Sequence, residues 1–264
     1  MKYFDAHCHI QFADYDRDQA ELIARMREQG VAGVVVGCDL DSSRKAVALA
    51  EAHDHLYASV GLHPNREGDE WYEAEQYREL AKSPKVIALG ECGLDYFRPA
   101  HLDEETKAKQ KALLKDQITL AAELDKPLII HSRPSKGTQD AYQDLIAILQ
   151  EEQKKFPNLH GDIHFFVGTQ AEAEQLFALG FTISFTAVIT FARDYDAVIK
   201  ATPLERILSE TDAPYLAPKH RRGERNDPLA VQDVVAKIAE IRGEDPELVR
   251  AALLQNARTL FGLS

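Results

Sequence analysis

Eight short apolar runs, separated by longer amphipathic stretches, divide this chain from one end to the other. The runs lie at residues 3–8, 31–37, 56–61, 85–90, 127–131, 161–166, 181–186 and 206–210. They are partly β-branched and are bounded by turn residues or charged segments, which predicts strands. Apolar residues at helical spacing occupy stretches between and after them, among which are 16–29, 105–124, 138–155, 228–241 and 246–261. Strands that alternate with helices predict a parallel sheet.

Eight is also the number of strands that closes a TIM barrel, and 264 residues is an ordinary length for one. A doubly wound open sheet is the alternative architecture. In a barrel, the carboxyl ends of all the strands meet on one rim, where enzymes of this fold have their active sites. The reactive residues of this chain follow the ends of several strands, which favours the barrel. We therefore expect an α/β protein with one (β/α)8 barrel domain over residues 1–264.

Composition narrows the class of protein. The chain has no apolar run long enough to cross a membrane and no secretory signal at its N-terminus. Its three cysteines are too few and too scattered for a disulfide framework, so we expect a cytoplasmic protein. The net charge of −12 argues against broad, non-specific binding of nucleic acid. It does not exclude a nuclease, because metal ions in a cleft reverse the local field.

Two histidines end the first predicted strand. His7 and His9 are residues i and i+2, so both imidazoles point to the same face and can bind one ion. An isolated pair of this kind is weak evidence, and the chain contains its own control: His53 and His55 precede the third strand and are interpreted as solvated surface on the opposite rim. What distinguishes His7 and His9 is that further candidate ligands follow four other strands.

These further candidates are single residues at the ends of later strands. Glu91 follows the fourth strand, and its two oxygens can bridge two cations. His131 ends the fifth strand and His164 lies near the end of the sixth, so the two form a pair suited to a second ion. After the eighth strand, Asp212 is the natural last ligand and can orient or deprotonate a water molecule, with Glu210 as a neighbouring acid.

The predicted metal centre has nitrogen and oxygen ligands and no sulfur. Its members are His7, His9, Glu91, His131, His164 and Asp212. Four imidazoles favour zinc, manganese, iron or nickel over a magnesium site made of oxygens alone. We expect two divalent ions, with zinc, manganese and magnesium all open. Two ions about 3.5–4 Å apart are suited to phosphodiester hydrolysis.

The cysteines are not predicted to take part in the chemistry. Cys8 is assigned to packing, and neither Cys38 nor Cys92 has a thiol-activating arrangement.

Substrate contacts are predicted around this centre. Arg133 directly follows His131, and its planar guanidinium can grip a phosphate. Residues 219–226, which end in Asn226, form the most basic stretch and follow the eighth strand, so they predict either a phosphate-facing loop or solvated surface. Aromatic residues near the rim can stack on bases or pack: Tyr96, Phe97 and Tyr215.

Taken together, seven segments resemble the TatD family of metal-dependent deoxyribonucleases. They are DAHCH at 5–9, GLHP at 61–64, GECGLD at 90–95, PLIIHSR at 127–133, ETDAPYL at 210–216, RGERN at 222–226 and NARTLF at 256–261. The segments follow the family's order from residue 5 to the C-terminus, and as a set they are highly specific. The resemblance implies a TIM barrel of the amidohydrolase-like, metal-dependent hydrolase type.

The resemblance also assigns roles to residues. One ion would have the ligands His7, His9, Glu91 and Asp212. The other would have Glu91, His131 and His164, with Glu91 bridging. Glu210 and Asp212 resemble a catalytic acidic pair, and His63 resembles a residue that contacts the scissile phosphate. The implied activity is exonucleolytic trimming of DNA, usually from the 3′ end. Single strands or 3′ ends would be the substrate, and we expect a monomer with no obligate protein partner.

Two segments depart from the family pattern, and both line the predicted substrate cleft. Where the family commonly has His-Cys-Phe-Ser-Gly after the sixth strand, this chain has His164-Phe165-Phe166-Val167-Gly168. The loop after His131 continues Arg133-Pro134-Ser135-Lys136, where an acidic residue often follows. The metal ligands are kept, so these changes bear on the substrate rather than on the metal chemistry.

Three other functions stay open at this stage. A D-aminoacyl-tRNA deacylase, or another ester hydrolase acting on nucleic-acid-linked substrates, fits the altered loop and the acidic charge. A small-molecule amidohydrolase is disfavoured because many such barrels bridge their metals with a carboxylated lysine, where this chain has Glu91. A non-catalytic, metal-stabilised binding protein is disfavoured because every candidate ligand is present together with Glu210.

Overall fold

A computed structural model describes residues 1–65, 72–98 and 102–263. Eight parallel strands pair in chain order into one sheet that curls into a nearly closed barrel. The strands are β1 (Tyr3–Cys8), β2 (Val31–Val36), β3 (Leu56–Val60), β4 (Val86–Asp95), β5 (Leu128–Arg133), β6 (Gly161–His164), β7 (Thr182–Phe185) and β8 (Ile207–Ser209). The predicted TIM barrel is therefore confirmed, and the open sheet is excluded.

Helices follow the strands around the outside of the barrel. Their bounds are α1 (Gln19–Gln29), α2 (Leu40–Ala52), α3 (Ala74–Leu80), α4 (Glu104–Glu123), α5 (Asp140–Glu152), α6 (Gln170–Ala178), α7 (Asp196–Ala201), α8 (Val231–Arg242) and α9 (Pro246–Phe261). Across the described residues, no helix combines the length and the apolar character needed to cross a membrane.

Helix termini show where local prediction succeeds and fails. Asp245 caps α9 by accepting hydrogen bonds from two backbone N–H groups, as its place before Pro246 indicates. Thr138, which opens the predicted helical stretch 138–155, has a residue type that commonly caps helices, but it does not cap α5, which begins at Asp140. The Asp140 carboxylate accepts hydrogen bonds from Ser135 and Thr138 and organises the loop around itself, so Thr138 serves that loop rather than the helix.

The strand β4 differs most from its prediction. It continues to Asp95, so Glu91 lies within the strand rather than after it. Its pairing with β5 shifts register between Leu89 and Cys92, and such an irregularity can redirect a side chain toward a site. A Cβ atom on Gly93 would lie 1.9 Å from the His131 carbonyl oxygen, so glycine is what permits this close approach of the two strands.

The barrel closes just beyond β8. Cys8 at the end of β1 forms a parallel bridge with Ala213. The His9 N–H donates to the Ala213 carbonyl at 2.7 Å, and the Asp212 N–H donates to the His7 carbonyl at 2.9 Å. The Cys8 side chain points away into the apolar core and donates to a carbonyl of β2, which agrees with its assignment to packing. This closure brings the first and last predicted ligands side by side.

The opposite end of the barrel interior is apolar. Phe4, Val34 and Leu208 are buried there together with Phe261 of α9, whose ring lies 5.7 Å from that of Phe4. Helix α9 covers this end, whereas the candidate ligands lie at the carboxyl rim. The fold thus directs any chemistry to that rim.

Two buried glutamines of α4 hold the strand ends at the rim. Gln117 exchanges two 2.8 Å hydrogen bonds with the backbone of Leu62, just before His63. Gln110 does the same for Asp95 at 2.9 and 3.0 Å. Each side-chain amide therefore pairs with a backbone N–H and a backbone C=O, as a neighbouring strand would. Together the two glutamines fix the backbone at His63 and Asp95.

We expect Gln117→Leu to lower the free energy of unfolding by about 3 kcal/mol, because it leaves two buried backbone groups of Leu62 without partners and each costs on the order of 1–3 kcal/mol. Urea unfolding of the metal-free protein measures this effect. Gln175→Leu, at an exposed position of α6, is the matched control and should change stability by less than about 0.5 kcal/mol. Equal stability of both variants would show that Leu62 finds other partners.

Candidate metal centre

The six predicted ligands converge at the rim from the ends of five strands. They are His7 and His9 from β1, Glu91 from β4, His131 from β5, His164 from β6 and Asp212 after β8. All four imidazoles and Glu91 are buried, and the Asp212 side chain is 14% exposed. Within the described ranges, two of the groups whose ligand atoms all lie within 4.8 Å of one another share Glu91. The predicted constellation therefore exists as one cluster.

One group of ligand atoms surrounds Oε2 of Glu91. The His7 Nε2 lies 3.5 Å and the His9 Nε2 3.8 Å from this oxygen, and the two nitrogens are 3.1 Å apart. Asp212 contributes Oδ1, 3.5 Å from the His9 nitrogen and 3.9 Å from the His7 nitrogen. The backbone of Asp212 is left-handed (φ 52°), a conformation that aspartate tolerates better than most residues.

A second group surrounds the other oxygen of Glu91. Its Oε1 lies 3.2 Å from the His131 Nδ1 and 3.1 Å from the His164 Nε2, and these nitrogens are 3.4 Å apart. Each oxygen of Glu91 thus faces its own pair of imidazoles. This is the arrangement expected of a carboxylate that bridges two cations.

The spacing of these atoms fits divalent ions. Two ligand atoms that each lie about 2.1 Å from one ion in a tetrahedral arrangement are roughly 3.4 Å apart. The observed separations run from 3.1 Å between His7 and His9 to 3.9 Å between His7 and Asp212. The Nδ1 atom of His7 is buried and has no hydrogen-bond partner. The donor set of imidazole and carboxylate suits zinc or manganese.

The outward-facing nitrogens of two imidazoles are held by acceptors. The His9 Nδ1 lies 2.9 Å from the Val36 carbonyl oxygen, and the His131 Nε2 lies 3.2 Å from Oδ2 of Asp95. An acceptor at one ring nitrogen places the proton there and leaves the lone pair of the other free for a metal. Asp95 was not assigned a role from the sequence, because the predicted β4 ended too early to place it beside His131.

Glu210 lies behind the ligands rather than in the cleft. It is fully buried, with Oε2 3.1 Å from the His164 Nδ1 and 3.8 Å from the His7 Nδ1. Its Oε1 accepts hydrogen bonds from the Phe165 N–H and from the Ser184 hydroxyl. Among the described residues, its Oε2 lies within hydrogen-bond distance of the His164 Nδ1, so Glu210 orients that imidazole from behind, and its predicted catalytic role stays a prediction.

Asn226 also lies away from the cleft. Its side chain is fully buried and donates to the Thr211 carbonyl oxygen at 3.1 Å. Asp5 holds the same loop from the other side by accepting from the Thr211 N–H at 2.9 Å and its hydroxyl at 2.6 Å. These bonds fix the loop that presents Asp212, and the predicted substrate contact of Asn226 stays a prediction.

The electrostatics of the cluster favour cations. Burial alone would raise the pKa of Glu91, but the charges of the surrounding imidazoles and the hydrogen bond with His131 hold it well below its usual range. Burial alone would lower the pKa of His164, yet the carboxylates of Glu210 and Glu91 raise it well above its usual value. A proton and a metal ion compete for the same nitrogen, so metal binding should release protons.

His63 faces the centre without being a ligand. Its Nδ1 accepts a hydrogen bond from the Asn65 N–H at 3.0 Å, so the proton of the neutral ring is on Nε2, which lies 3.5 Å from Glu91. Burial lowers the pKa of His63 to about 3, which keeps the ring neutral. Although His63, Asp95 and His131 lie close enough to form a ligand group, the protonated Nε2 is a donor. It suits an anionic oxygen rather than a metal.

The cleft above the centre is a cavity of about 520 Å³ that includes His63, Arg133, Asp212 and Tyr215 in its lining. Arg133 stands at the edge with its guanidinium 4.3 Å above the ring of Phe97. Phe97 and Tyr215 are about half exposed, at 49% and 51%. Arg133 and both aromatic rings therefore lie where a substrate would approach.

For Tyr96 and the arginines of the basic stretch, the structure shows contacts within the protein, which favours the second of the two alternatives left open by the sequence. Tyr96 is buried, and its hydroxyl donates to Asp144 at 2.8 Å. Within 219–226, Arg221 pairs with Asp227 at 2.8 Å, and Arg225 pairs with Asp18. Arg222 lies 4.4 Å above the Phe191 ring. These three arginines therefore stabilise the loop through contacts within the protein.

Cys38 contacts the centre in a way that the sequence did not indicate. Its Sγ lies 3.4 Å from Oε2 of Glu91 and 3.7 Å from the His9 Nδ1. Burial and the Glu91 charge raise its pKa well above the usual value, so the thiol stays protonated. Burial likewise raises the pKa of Cys92 above the usual thiol range. These shifts agree with the expectation that neither thiol is an activated nucleophile.

Comparison with known proteins agrees with this geometry. The model of the family described as "TatD related DNase" matches residues 4–262. The "Uncharacterized metal-dependent hydrolase YabD" of Bacillus subtilis is 36% identical over 99% of both chains. The "3'-5' ssDNA/RNA exonuclease TatD" of Klebsiella pneumoniae is 33% identical over 98% of both. The crystal structure of YJJV, a TatD homologue from Escherichia coli K12, superposes with a TM-score of 0.88 at 31% identity, covering 100% of this chain and 99% of that one.

Proposed function

Because this chain belongs to the TatD-related DNase family of metal-dependent hydrolases, we propose that it hydrolyses phosphodiester bonds of single-stranded DNA, from the 3′ end, with two divalent ions. The observation that carries the proposal is Glu91, whose two oxygens face two separate pairs of imidazoles. A relative that is 33% identical over nearly the whole chain carries the name of a 3′–5′ exonuclease for single-stranded DNA and RNA. The proposal treats residues 1–264 as one catalytic domain.

Five side chains besides Glu91 would hold the ions. His7, His9 and Asp212 would hold one, and His131 and His164 the other. Ions bound there would activate a water molecule and neutralise charge that develops on the phosphate. Glu210 and Asp95 keep the imidazoles of His164 and His131 oriented, a kind of support that commonly changes metal affinity or activity by about 10- to 100-fold.

Asp212 would accept the proton of the attacking water. Burial alone would raise the pKa of Asp212, but the hydrogen bond with His9 and the charges of nearby imidazoles lower it below the usual value. The carboxylate is thus ionised at neutral pH, and it is the one ligand carboxylate whose side chain is appreciably exposed to the cleft. An ionised, partly exposed carboxylate is what a proton acceptor requires.

His63 and Arg133 would bind the phosphate itself. The Nε2–H of neutral His63 points into the cleft beside Glu91 and can donate to a non-bridging oxygen of the scissile group. Arg133, at the edge of the same cavity, can donate two parallel hydrogen bonds to a phosphate. Both contacts would place the scissile phosphate directly over the cluster.

The test is digestion of a 5′-labelled single-stranded oligonucleotide by metal-free protein supplied with manganese, magnesium or zinc. We expect a ladder of products that shorten from the 3′ end only when metal is present. His160→Ala, at an exposed histidine before β6, is the control and should digest DNA like the wild type. Intact DNA with folded, metal-loaded protein would contradict the proposal, and release of D-amino acids from charged tRNA would then favour the deacylase.

A further inference from the structure

A second cavity opens directly beside the metal centre. It has a volume of about 710 Å³ and lies against the loops that follow β5 and β6. Four residues line both this cavity and the one above the metal centre: His131, Arg133, His164 and Phe165. A chain that passes over the metal centre can therefore continue into this space.

The charge of the second cavity is opposite to that of the protein. The chain carries 43 acidic residues and a net charge of −12, yet among the described residues that line this cavity none is a carboxylate. Arg133 and Lys136 are its cations, and neither forms an ion pair within the part of the chain that the structure describes. Uncompensated cations in an otherwise acidic protein favour an anionic occupant.

Aromatic rings complete the lining. Phe97, Phe165 and Tyr195 all face the cavity, and Phe97 supports the guanidinium of Arg133 from below at 4.3 Å. Cations that alternate with exposed rings are the combination that binds single-stranded nucleic acid, since rings stack on bases while cations follow the phosphates. An anion that has no flat apolar part, such as free phosphate, would make no stacking contact with these rings.

Phe165 stands at the boundary between the two cavities. Its backbone is left-handed (φ 45°), a conformation that is uncommon for a bulky residue. The Phe165 N–H donates to Glu210, the carboxylate that also holds His164, and the Phe165 and His164 rings have centroids 6.3 Å apart. The position of the phenyl ring is therefore tied to the position of a metal ligand.

We propose that the second cavity is the subsite for the nucleotide next to the scissile phosphate, and that Phe165 selects single strands by stacking on its unpaired base. The inference rests on the proposed function. In a duplex, neighbouring bases cover both faces of every base except the terminal one, so the phenyl ring can stack on the penultimate base only after that base leaves the helix. Arg133 and Lys136 bind the flanking phosphates, so the substrate class is a single-stranded oligonucleotide of at least two nucleotides.

The test compares wild type and Phe165→Ala on a normal oligonucleotide and on one that lacks the base entering the cavity. With the normal substrate, we expect the variant to raise KM by roughly tenfold or more, the effect of losing one base–aromatic stack, with kcat changed by less than about twofold. The abasic substrate should raise KM of the wild type by a similar factor, and the variant should add nothing further. Phe165→Trp should restore the low KM.

Two further variants keep the test decisive. Phe191→Ala removes another partly buried ring that lies beneath an arginine but lines neither cavity, and it should have wild-type kinetics. Lys136→Ala changes an exposed side chain and should raise KM while reducing the slope of log KM against log salt concentration by about one, even if Phe165→Ala does not fold.

The two proposals fail in different ways. If the wild type digests DNA but Phe165→Ala raises KM equally on normal and abasic substrates, or does not raise it, the stacking role is wrong and the nuclease assignment stands. If the wild type digests no DNA with any metal, the proposed function itself is wrong, and the proposed subsite is wrong as well.

Discussion

Glu91→Gln should abolish metal-dependent hydrolysis and remove both ions from the purified protein. The amide has nearly the shape of the carboxylate, but its nitrogen cannot serve as a ligand and it carries no charge to hold two cations together. Removing one catalytic hydrogen-bond donor commonly costs 10²–10³-fold in kcat. Since Glu91 serves both ions, we expect a loss of at least about 10³-fold. Elemental analysis and steady-state kinetics on the same sample measure both effects.

The control for this variant is Glu174→Gln, the same change at an exposed site on α6. It should retain both ions and wild-type activity. Because the amide keeps nearly the shape of the buried carboxylate, the metal-free Glu91→Gln protein should still fold, which circular dichroism can verify. A folded Glu91→Gln protein that keeps two ions and more than a tenth of wild-type kcat would contradict the bridging role.

Asp212→Asn should lower kcat by about 10²–10⁴-fold, the range expected when a general base is removed. Unlike Glu91→Gln, it should leave metal largely in place, because His7, His9 and Glu91 still surround the first position. KM for single-stranded DNA should change little, since Asp212 is not assigned to the phosphate. Single-turnover kinetics at saturating metal measures the chemical step.

Excess metal separates the two roles that Asp212 can have. If it serves only as a ligand, raising the metal concentration will restore the activity of Asp212→Asn. If it also accepts a proton, the loss will persist at saturation, and this is the result we expect. Asp54→Asn, at an exposed position on the opposite rim before β3, should behave as wild type throughout.

The barrel and the cluster of candidate ligands can be predicted from the sequence because both follow from position along the chain. Apolar runs mark the eight strands, and a ligand placed at the end of a strand must reach the common rim. His131 and His164 needed only their places within β5 and at the end of β6 to be placed side by side. Their partners Asp95 and Glu210 were harder to place, because a register shift and backbone hydrogen bonds decide where those carboxylates point.

The sequence leaves alternatives open where tertiary contacts decide what a polar side chain does. The basic stretch after β8 has the composition of a phosphate-binding loop, yet Arg221 and Arg225 pair with acidic residues of the protein itself. Arg133, with one cationic charge in an apolar segment, faces the cleft. Local charge density therefore says little about substrate contacts, because the partner of each arginine is fixed by the fold.

The most direct test of the two-ion centre is titration of metal-free protein with manganese while the rate of single-stranded DNA digestion is followed. The geometry around Glu91 predicts that the rate reaches its plateau at two equivalents of metal per chain and that chelation returns it to background. A plateau at one equivalent, or digestion that survives chelation, would contradict a centre in which Glu91 joins two ions.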